Sequence, residues 1–338
     1  MLIFFLAAFL AGLYSVVKGA SIVVGNSAAL ARHFGVSNLI IGLSVVAFGT
    51  SIPELTINIF SRVDISSIGI GNAIGASIAN MAFIIGLASI MAPVHVNVHA
   101  IRKQLPLVVV GISLLILVVG DVFGGSGEIT FISRNEGIIL LIFFGFFIYN
   151  LFYQAIKEHK VFEDHKETAI RETAQTIVKR VASHDESEKK QIFHYVGFLV
   201  LGLAMMIVGA YFVVEGGKII ALTMGLSETF IGLLFVSLAT TTPELATALA
   251  AVKQGQPDIA VGNAIGSSLF NLLAIVGIAA IITPVGFEAR LIFDMLVLLG
   301  FVLHFFTVAE TGRKITRKEG ITLVFFYILY AVIISVRG

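Results

Sequence analysis

The chain has 338 residues, of which 57% are hydrophobic and only 13% are charged, and its net charge is +1. A soluble globular chain carries roughly a quarter charged residues, so this composition excludes a water-soluble protein. The near-neutral charge argues against a nucleic-acid partner, and the absence of cysteine excludes disulfides and thiolate-bound metals. The sequence therefore predicts a polytopic protein of the lipid bilayer.

Apolar runs long enough to cross a bilayer recur along the whole chain. A helix needs about 20 apolar residues to span the hydrocarbon, and these runs lack the period-two alternation of barrel strands. We predict an all-α fold whose ten transmembrane helices lie near 2–24, 38–60, 68–92, 105–123, 136–156, 192–221, 228–252, 258–283, 289–308 and 320–336. The distribution of Lys and Arg among the loops predicts that the N-terminus lies outside the cell.

One long hydrophilic segment, 157–191, interrupts this pattern and holds eight acidic and eight basic residues. The acidic residues do not follow the spacing of an EF-hand calcium loop. We interpret the segment as a solvated, partly helical connector on the cytoplasmic side. It divides the chain into a first five-helix half, 1–156, and a second five-helix half, 192–338.

The most informative feature is a polar stretch, Gly49–Leu55 (GTSIPEL), inside an apolar segment. A similar stretch, Ala239–Leu245 (ATTTPEL), follows 190 residues later. An ionisable residue at membrane depth is costly and indicates a functional site. The proline of each stretch cannot donate a backbone hydrogen bond, so it frees the carbonyl four residues earlier and breaks the helix. A lone proline would indicate a simple kink, but a repeated proline beside a glutamate favours a site.

A second motif shows that the two halves are repeats. Gly71–Asn80 (GNAIGASIAN) matches Gly262–Asn271 (GNAIGSSLFN), and the register holds from the first motif to the second. Because each half contains an odd number of spans, the second copy must be inverted relative to the first. Inverted repeats are common in secondary transporters, whose sites lie at the repeat interface near the midplane. We therefore predict that Glu54 and Glu244 converge.

Every candidate ligand in these motifs offers oxygen, which favours Na⁺, Ca²⁺ or Mg²⁺ over transition metals. A mostly dry site suits Ca²⁺ better than Mg²⁺, which resists dehydration. Two carboxylates can neutralise one Ca²⁺, two Na⁺ or two protons, and competition for one site is a physical basis for exchange. The candidate ligands are Thr50, Ser51, Glu54, Asn80, Thr240, Thr241, Glu244 and Asn271.

Some of these residues have a purely structural alternative. Asn80 and Asn271 could form interhelical hydrogen bonds instead of binding an ion. Ser77 and Ser268, in the same two motifs, are expected to serve helix packing rather than ligation.

The two polar stretches and the paired Gly-Asn-Ala-Ile-Gly motifs resemble the alpha repeats of the sodium/calcium exchanger superfamily, in particular its prokaryotic members. The resemblance implies a cell-membrane antiporter, without enzymatic activity or cofactor, that exchanges Ca²⁺ for Na⁺ by alternating access. It also implies that the first and sixth spans slide across the rest of the bundle. In the family the two glutamates bind Ca²⁺ with the neighbouring hydroxyls and carbonyls, here at Thr50, Ser51, Glu54, Thr240, Thr241 and Glu244.

The resemblance also implies Na⁺ sites around the same cluster. They include the residue after the second glycine of each later motif, which is Ser267 in the second repeat but Ala76 in the first. Asn271 stands where sodium exchangers often carry aspartate. These departures keep H⁺/Ca²⁺ exchange and K⁺-coupled exchange open as alternatives.

Two other classes of function fit these motifs less well. A cation channel could use oxygen ligands, but two full carboxylates at one point would hinder rapid exit of the ion. A membrane-embedded hydrolase would need a nucleophile and a base, and the sequence has no Gly-x-Ser-x-Gly or Walker motif.

Overall fold

A computed structural model describes residues 2–55, 68–96, 98–118, 129–173, 184–223 and 240–337, which are almost entirely helical. We number the helices in chain order. They are α1 (Leu2–Phe34), α2 (Asn38–Thr50), α3 (Ile68–Ile78 continuing as Ile85–Met91), α4 (Val98–Val118), α5 (Arg134–Thr173), α6 (His184–Thr223), α7 (Thr242–Lys253), α8 (Pro257–Leu269 continuing as Val276–Ile282), α9 (Leu291–Gly312) and α10 (Arg317–Arg337). Three helices contain a π-helical turn, at Gly42–Val46 in α2, Ala79–Ile84 in α3 and Phe270–Ile275 in α8.

Seven helices of the described chain are long and apolar enough to cross a membrane. They are α1, α3, α5, α6, α8, α9 and α10, and they confirm seven of the predicted spans and the all-α polytopic class. The other three predicted spans coincide with α2, α4 and α7. Parts of those spans, 56–60, 119–123 and 228–239, lie outside the described residues.

Four short strands join the two halves of the chain. β1 (Val94–His95) pairs antiparallel with β4 (Lys314–Ile315), and β2 (Ile129–Ile132) pairs antiparallel with β3 (Val285–Glu288). Each pair takes one strand from each half, which is the arrangement expected of two inverted repeats. The sequence did not predict these strands, because runs of two to four residues are too short to show a period.

Helices α1 and α6 pack closely along a seam of glycines. A Cβ atom added to Gly12 would lie 2.7 Å from the carbonyl oxygen of Gly209, and one added to Gly19 would lie 2.6 Å from that of Gly202. Small residues allow membrane helices to approach this closely. The contacts run in opposite chain directions, so the two helices are antiparallel. Gly12 and Gly19 of α1 have their repeat equivalents in α6 190 residues later, at Gly202 and Gly209.

The last helix of each half begins with the same reciprocal cap. The backbone N–H of Ser133 donates to Glu136 Oε2 over 2.5 Å at the start of α5, and that of Thr316 donates to Glu319 Oε2 over 2.7 Å at the start of α10. In each case the backbone N–H of the glutamate points back to the capping hydroxyl. This capping box satisfies donors that a helix leaves free at its first turn. The repeat therefore extends to the final helices.

Replacing Thr316 with alanine should lower the thermal unfolding temperature of the purified protein, because loss of a capping hydroxyl costs about 1 kcal/mol. Circular dichroism in detergent measures the change. Thr322→Ala is the control, since this exposed hydroxyl on α10 bonds only to the carbonyl of Lys318 in the preceding turn. Equal destabilisation by both substitutions would contradict the capping role.

The hydrophilic segment between the halves is helical wherever it is described. Helix α5 has 40 residues and, at 1.5 Å per residue, is about 60 Å long, roughly twice the hydrocarbon thickness. Its polar end packs on the turn between α1 and α2, where Glu158 accepts from the backbone N–H of Ser37 over 2.7 Å and His159 Nδ1 lies 2.7 Å from the Phe34 carbonyl oxygen. Residues 174–183 lie outside the described chain, and the cytoplasmic placement of 157–191 stays a prediction.

Candidate functional site

Both polar stretches contain a non-helical residue at equivalent positions, Ser51 and Thr241. Helix α2 ends at Thr50, and Ser51 leaves helical geometry with φ −87° and ψ 8°. In the second half Thr241 has φ −80° and ψ 3°, and α7 begins at the next residue. Each proline thus falls in the first turn of the following helix segment, where a missing N–H costs little. The predicted helix break is present in the first half. In the second half the described residues show the start of α7 after Thr241, and residues 224–239 lie outside them.

Helix α2 of the first half packs directly on helix α8 of the second half. A Cβ atom on Gly262 would lie 2.5 Å from the carbonyl oxygen of Leu39, and one on Gly266 would overlap that of Leu43. Only glycine permits this approach of two backbones. The contact places Asn263 and Ser267, which follow these glycines, beside the end of α2.

Four oxygens meet where α2 ends. Thr50 Oγ1 lies 3.0 Å from Asn263 Oδ1 and 3.4 Å from Ser267 Oγ. The Ala47 carbonyl oxygen lies 3.2 Å from the Thr50 hydroxyl and 3.3 Å from the Ser267 hydroxyl. All the contributing side chains are buried. This cluster joins the first polar stretch to the second motif of the opposite repeat.

The two glutamates are fully buried and lie close enough for their charges to interact. Ser51 Oγ donates to Glu244 Oε1 over 3.2 Å, and the Thr240 hydroxyl lies beside the Glu54 carboxylate. A hydroxyl from each polar stretch therefore lies beside the carboxylate of the other repeat. The structure brings Glu54 and Glu244 together, as the inverted repeat requires.

Asn80 and Asn271 lie in the matched π-helical turns of α3 and α8 and are fully buried. Within the described residues neither amide oxygen nor amide nitrogen of these side chains forms a hydrogen bond. The structure thus gives no support to an interhelical hydrogen bond there. Buried unpaired amides are costly, and π-helical turns are frequent at functional sites. The π-helical turn of α3 packs on α7, which carries Glu244.

The remaining predicted residues are buried. Thr241 is 3% exposed at the second helix break. Ser77 and Ser268 donate to the carbonyls of Ala73 and Ala264 in their own helices, both over 2.8 Å. Their hydrogen bonds are thus internal to the helices, which fits the expected packing role.

Two members of the cluster were missed by reasoning from the sequence. In the sequence Asn263 stands in a glycine-rich motif that predicts helix packing, although an equivalent asparagine, Asn72, recurs in the first repeat. The recurrence of this asparagine in both repeats is the feature of the sequence that could have identified it as a site residue. The Ala47 carbonyl could not be found from sequence, because its exposure to two hydroxyls depends on the close approach of α8 to α2.

The donor set suits a hard cation as cargo. The cluster offers carboxylate, hydroxyl, amide and carbonyl oxygens, which are the ligands that Na⁺ and Ca²⁺ prefer. Among the residues described, no group of three or more His, Cys, Asp and Glu side chains could hold a metal ion. Ligation would therefore rest on a carboxylate pair supplemented by neutral oxygens.

Comparisons with known proteins agree with this site. The model of the family described as "Sodium/calcium exchanger protein" matches residues 4–153 and 194–336. The chain is 34% identical over 284 residues to inner membrane protein YrbG of Escherichia coli, covering 82% of this chain and 80% of that protein. It is 29% identical over 342 residues to sodium/calcium exchanger MaX1 of Methanosarcina acetivorans, covering 96% and 97% respectively.

The fold also matches a solved structure. A structure of the sodium–calcium exchanger NCX_Mj superposes with a TM-score of 0.75 at 28% identity, covering 98% of this chain and 99% of that one. The chain therefore belongs to the sodium/calcium exchanger protein family, as a prokaryotic-type, multi-pass membrane antiporter of Ca²⁺ and another cation.

Proposed function

We propose that the protein exchanges Ca²⁺ for Na⁺ across the cell membrane and holds the transported ion between Glu54 and Glu244. The observation that carries the proposal is the crossed pairing of hydroxyls and carboxylates, above all the 3.2 Å bond from Ser51 Oγ to Glu244 Oε1. This pairing gives one shared cluster instead of two separate sites. The names of MaX1 and NCX_Mj as sodium/calcium exchangers support the choice of ions, and the name of YrbG supports the location.

Charge balance supplies the coupling between the ions. One Ca²⁺ or two monovalent cations neutralise the two buried carboxylates, so the two loads exclude each other. An empty, ionised pair has a high desolvation cost in the protein interior. The unloaded site therefore resists the change from one side of the membrane to the other, so a released ion must be replaced by ions of the other kind before the site can return.

The glycine seam supports movement of α1 and α6 as one unit. These two helices pack on each other more extensively than either packs on any other helix of the described chain, and the close approach at Gly12 and Gly19 joins them tightly. In this proposal the pair slides across the remaining bundle and exposes the cluster first to one side and then to the other.

An exchanger coupled to H⁺, or to K⁺, is the second candidate. The observation in its favour is Asn271, a buried amide where a third acid would help to bind additional Na⁺. The two glutamates could be discharged by two protons as well as by two Na⁺.

Transport by the purified protein in liposomes separates these candidates. We expect an outward Na⁺ gradient to drive uphill uptake of ⁴⁵Ca²⁺, because Na⁺ leaving the vesicle releases the site for Ca²⁺. Outward K⁺ and H⁺ gradients, imposed one at a time, are the controls. Uptake driven by protons alone would contradict Na⁺ coupling, and Ca²⁺ flux that is indifferent to every gradient would indicate a channel.

A further inference from the structure

Asn263 is a fully buried residue of the cluster that has no assigned role. Its Oδ1 atom lies 3.0 Å from Thr50 Oγ1, across the interface between the two repeats. Its Nδ2 atom forms no hydrogen bond within the described chain. The side chain therefore makes one well-formed contact, and that contact is to a proposed cation ligand.

The Thr50 hydroxyl has one proton and a choice of acceptors. A hydroxyl donates a single hydrogen bond and accepts through its lone pairs. Asn263 Oδ1 is at 3.0 Å, the Ala47 carbonyl oxygen is at 3.2 Å, and the Glu244 carboxylate also lies near this hydroxyl. The acceptor that receives the proton decides what the hydroxyl offers to an ion.

The consequences of the two main choices are opposite. If Thr50 donates to Glu244, the proton occupies a carboxylate lone pair that a cation needs. If Thr50 donates to Asn263, the Glu244 carboxylate stays free and the Thr50 lone pairs can turn toward the ion. A carboxylate attracts a proton donor more strongly than an amide does, so the amide competes only because it is held at short range by α8.

We propose that Asn263 is a positioning residue, which takes the Thr50 hydroxyl proton and so keeps both the Thr50 oxygen and the Glu244 carboxylate available to the transported cation. The proposal rests on the proposed function of the Glu54–Glu244 site. Asn263 acts through Thr50 and does not itself touch the ion. Asn263 therefore affects cation affinity, and its amide matters only when residue 50 has a hydroxyl group.

A double-mutant cycle tests this dependence. Asn263→Leu keeps the side-chain volume and removes the acceptor, and Thr50→Val removes the hydroxyl at nearly constant shape. We expect Asn263→Leu to raise the KM for Ca²⁺ about five- to tenfold with little change in kcat, the effect of losing one hydrogen bond. In the Thr50→Val background the same substitution should change KM less than about twofold, because no hydroxyl is left to position. Thr50→Ser, which keeps the hydroxyl, should retain near-normal affinity.

The control is Ser268→Ala on the same helix, which removes a buried hydroxyl that bonds to Ala264 within α8 and should leave KM unchanged. An equal loss of affinity from Asn263→Leu in both Thr50 backgrounds would overturn the proposal and indicate a packing role. If Asn263→Leu does not purify as a monodisperse protein, Asn263→Ala removes the same acceptor and enters the same cycle. Absence of saturable Ca²⁺ uptake by the unmodified protein would instead refute the proposed function.

Discussion

Replacing Glu244 with glutamine is expected to abolish gradient-driven Ca²⁺ exchange. Glutamine keeps the size of the side chain but removes one of the two charges that balance Ca²⁺ at a fully buried position. Loss of one partner from a buried ionic interaction costs about 3–5 kcal/mol, which corresponds to a fall in affinity of at least about a hundredfold. Uptake of ⁴⁵Ca²⁺ into liposomes, measured over a range of Ca²⁺ concentrations, gives the result directly.

Glu54→Gln should have the same effect, since the two glutamates are equivalent under the repeat. Glu215→Gln is the matched control, because Glu215 is an exposed glutamate on α6, and this variant should transport normally. Wild-type uptake by Glu244→Gln, driven by the same ion gradient, would show that the carboxylate pair does not hold the cargo.

Replacing Gly266 with alanine should have the second largest effect. The added methyl group would overlap the Leu43 carbonyl oxygen and lie 2.7 Å from the Ala47 Cβ atom. Neither neighbour is a flexible side-chain end, so α8 must shift away from α2. Overpacking of this kind costs about 1–3 kcal/mol. It also moves Ser267, the next residue, away from its 3.3 Å contact with the Ala47 carbonyl.

Two measurements should report this change together. The unfolding temperature of Gly266→Ala in detergent should fall, and its KM for Ca²⁺ should rise by about tenfold, since one or two ligand contacts are lost. Gly300→Ala on α9 is the control, because a Cβ atom there meets open space. Normal affinity and stability of Gly266→Ala would mean that the close approach of α8 to α2 does not shape the site.

The repeat made the centre of the molecule predictable from sequence. Matched Thr-x-x-Pro-Glu patterns predicted both the helix breaks and the meeting of Glu54 and Glu244, because a two-fold relation places equivalent residues on facing surfaces. Proline chemistry then located the breaks within a residue or two of Ser51 and Thr241. These predictions needed only local chemistry and the symmetry of the chain.

Other features depended on distances that a sequence does not contain. The role of Asn263 arises from the approach of α8 to α2, which glycine permits but does not specify. The strands β1 to β4 are too short to leave a periodic pattern. The sequence predicted a partly helical connector but not the 40-residue length of α5, whose polar end contacts the α1–α2 turn through Glu158 and His159.

Crystals of the protein soaked with Sr²⁺, a heavier analogue of Ca²⁺, give the most direct measurement of the central claim. The account predicts one anomalous peak per chain, between the carboxylates of Glu54 and Glu244 and within ligand distance of oxygens from both halves. A peak bound by one glutamate alone, or two separate peaks with one at each glutamate, would contradict it.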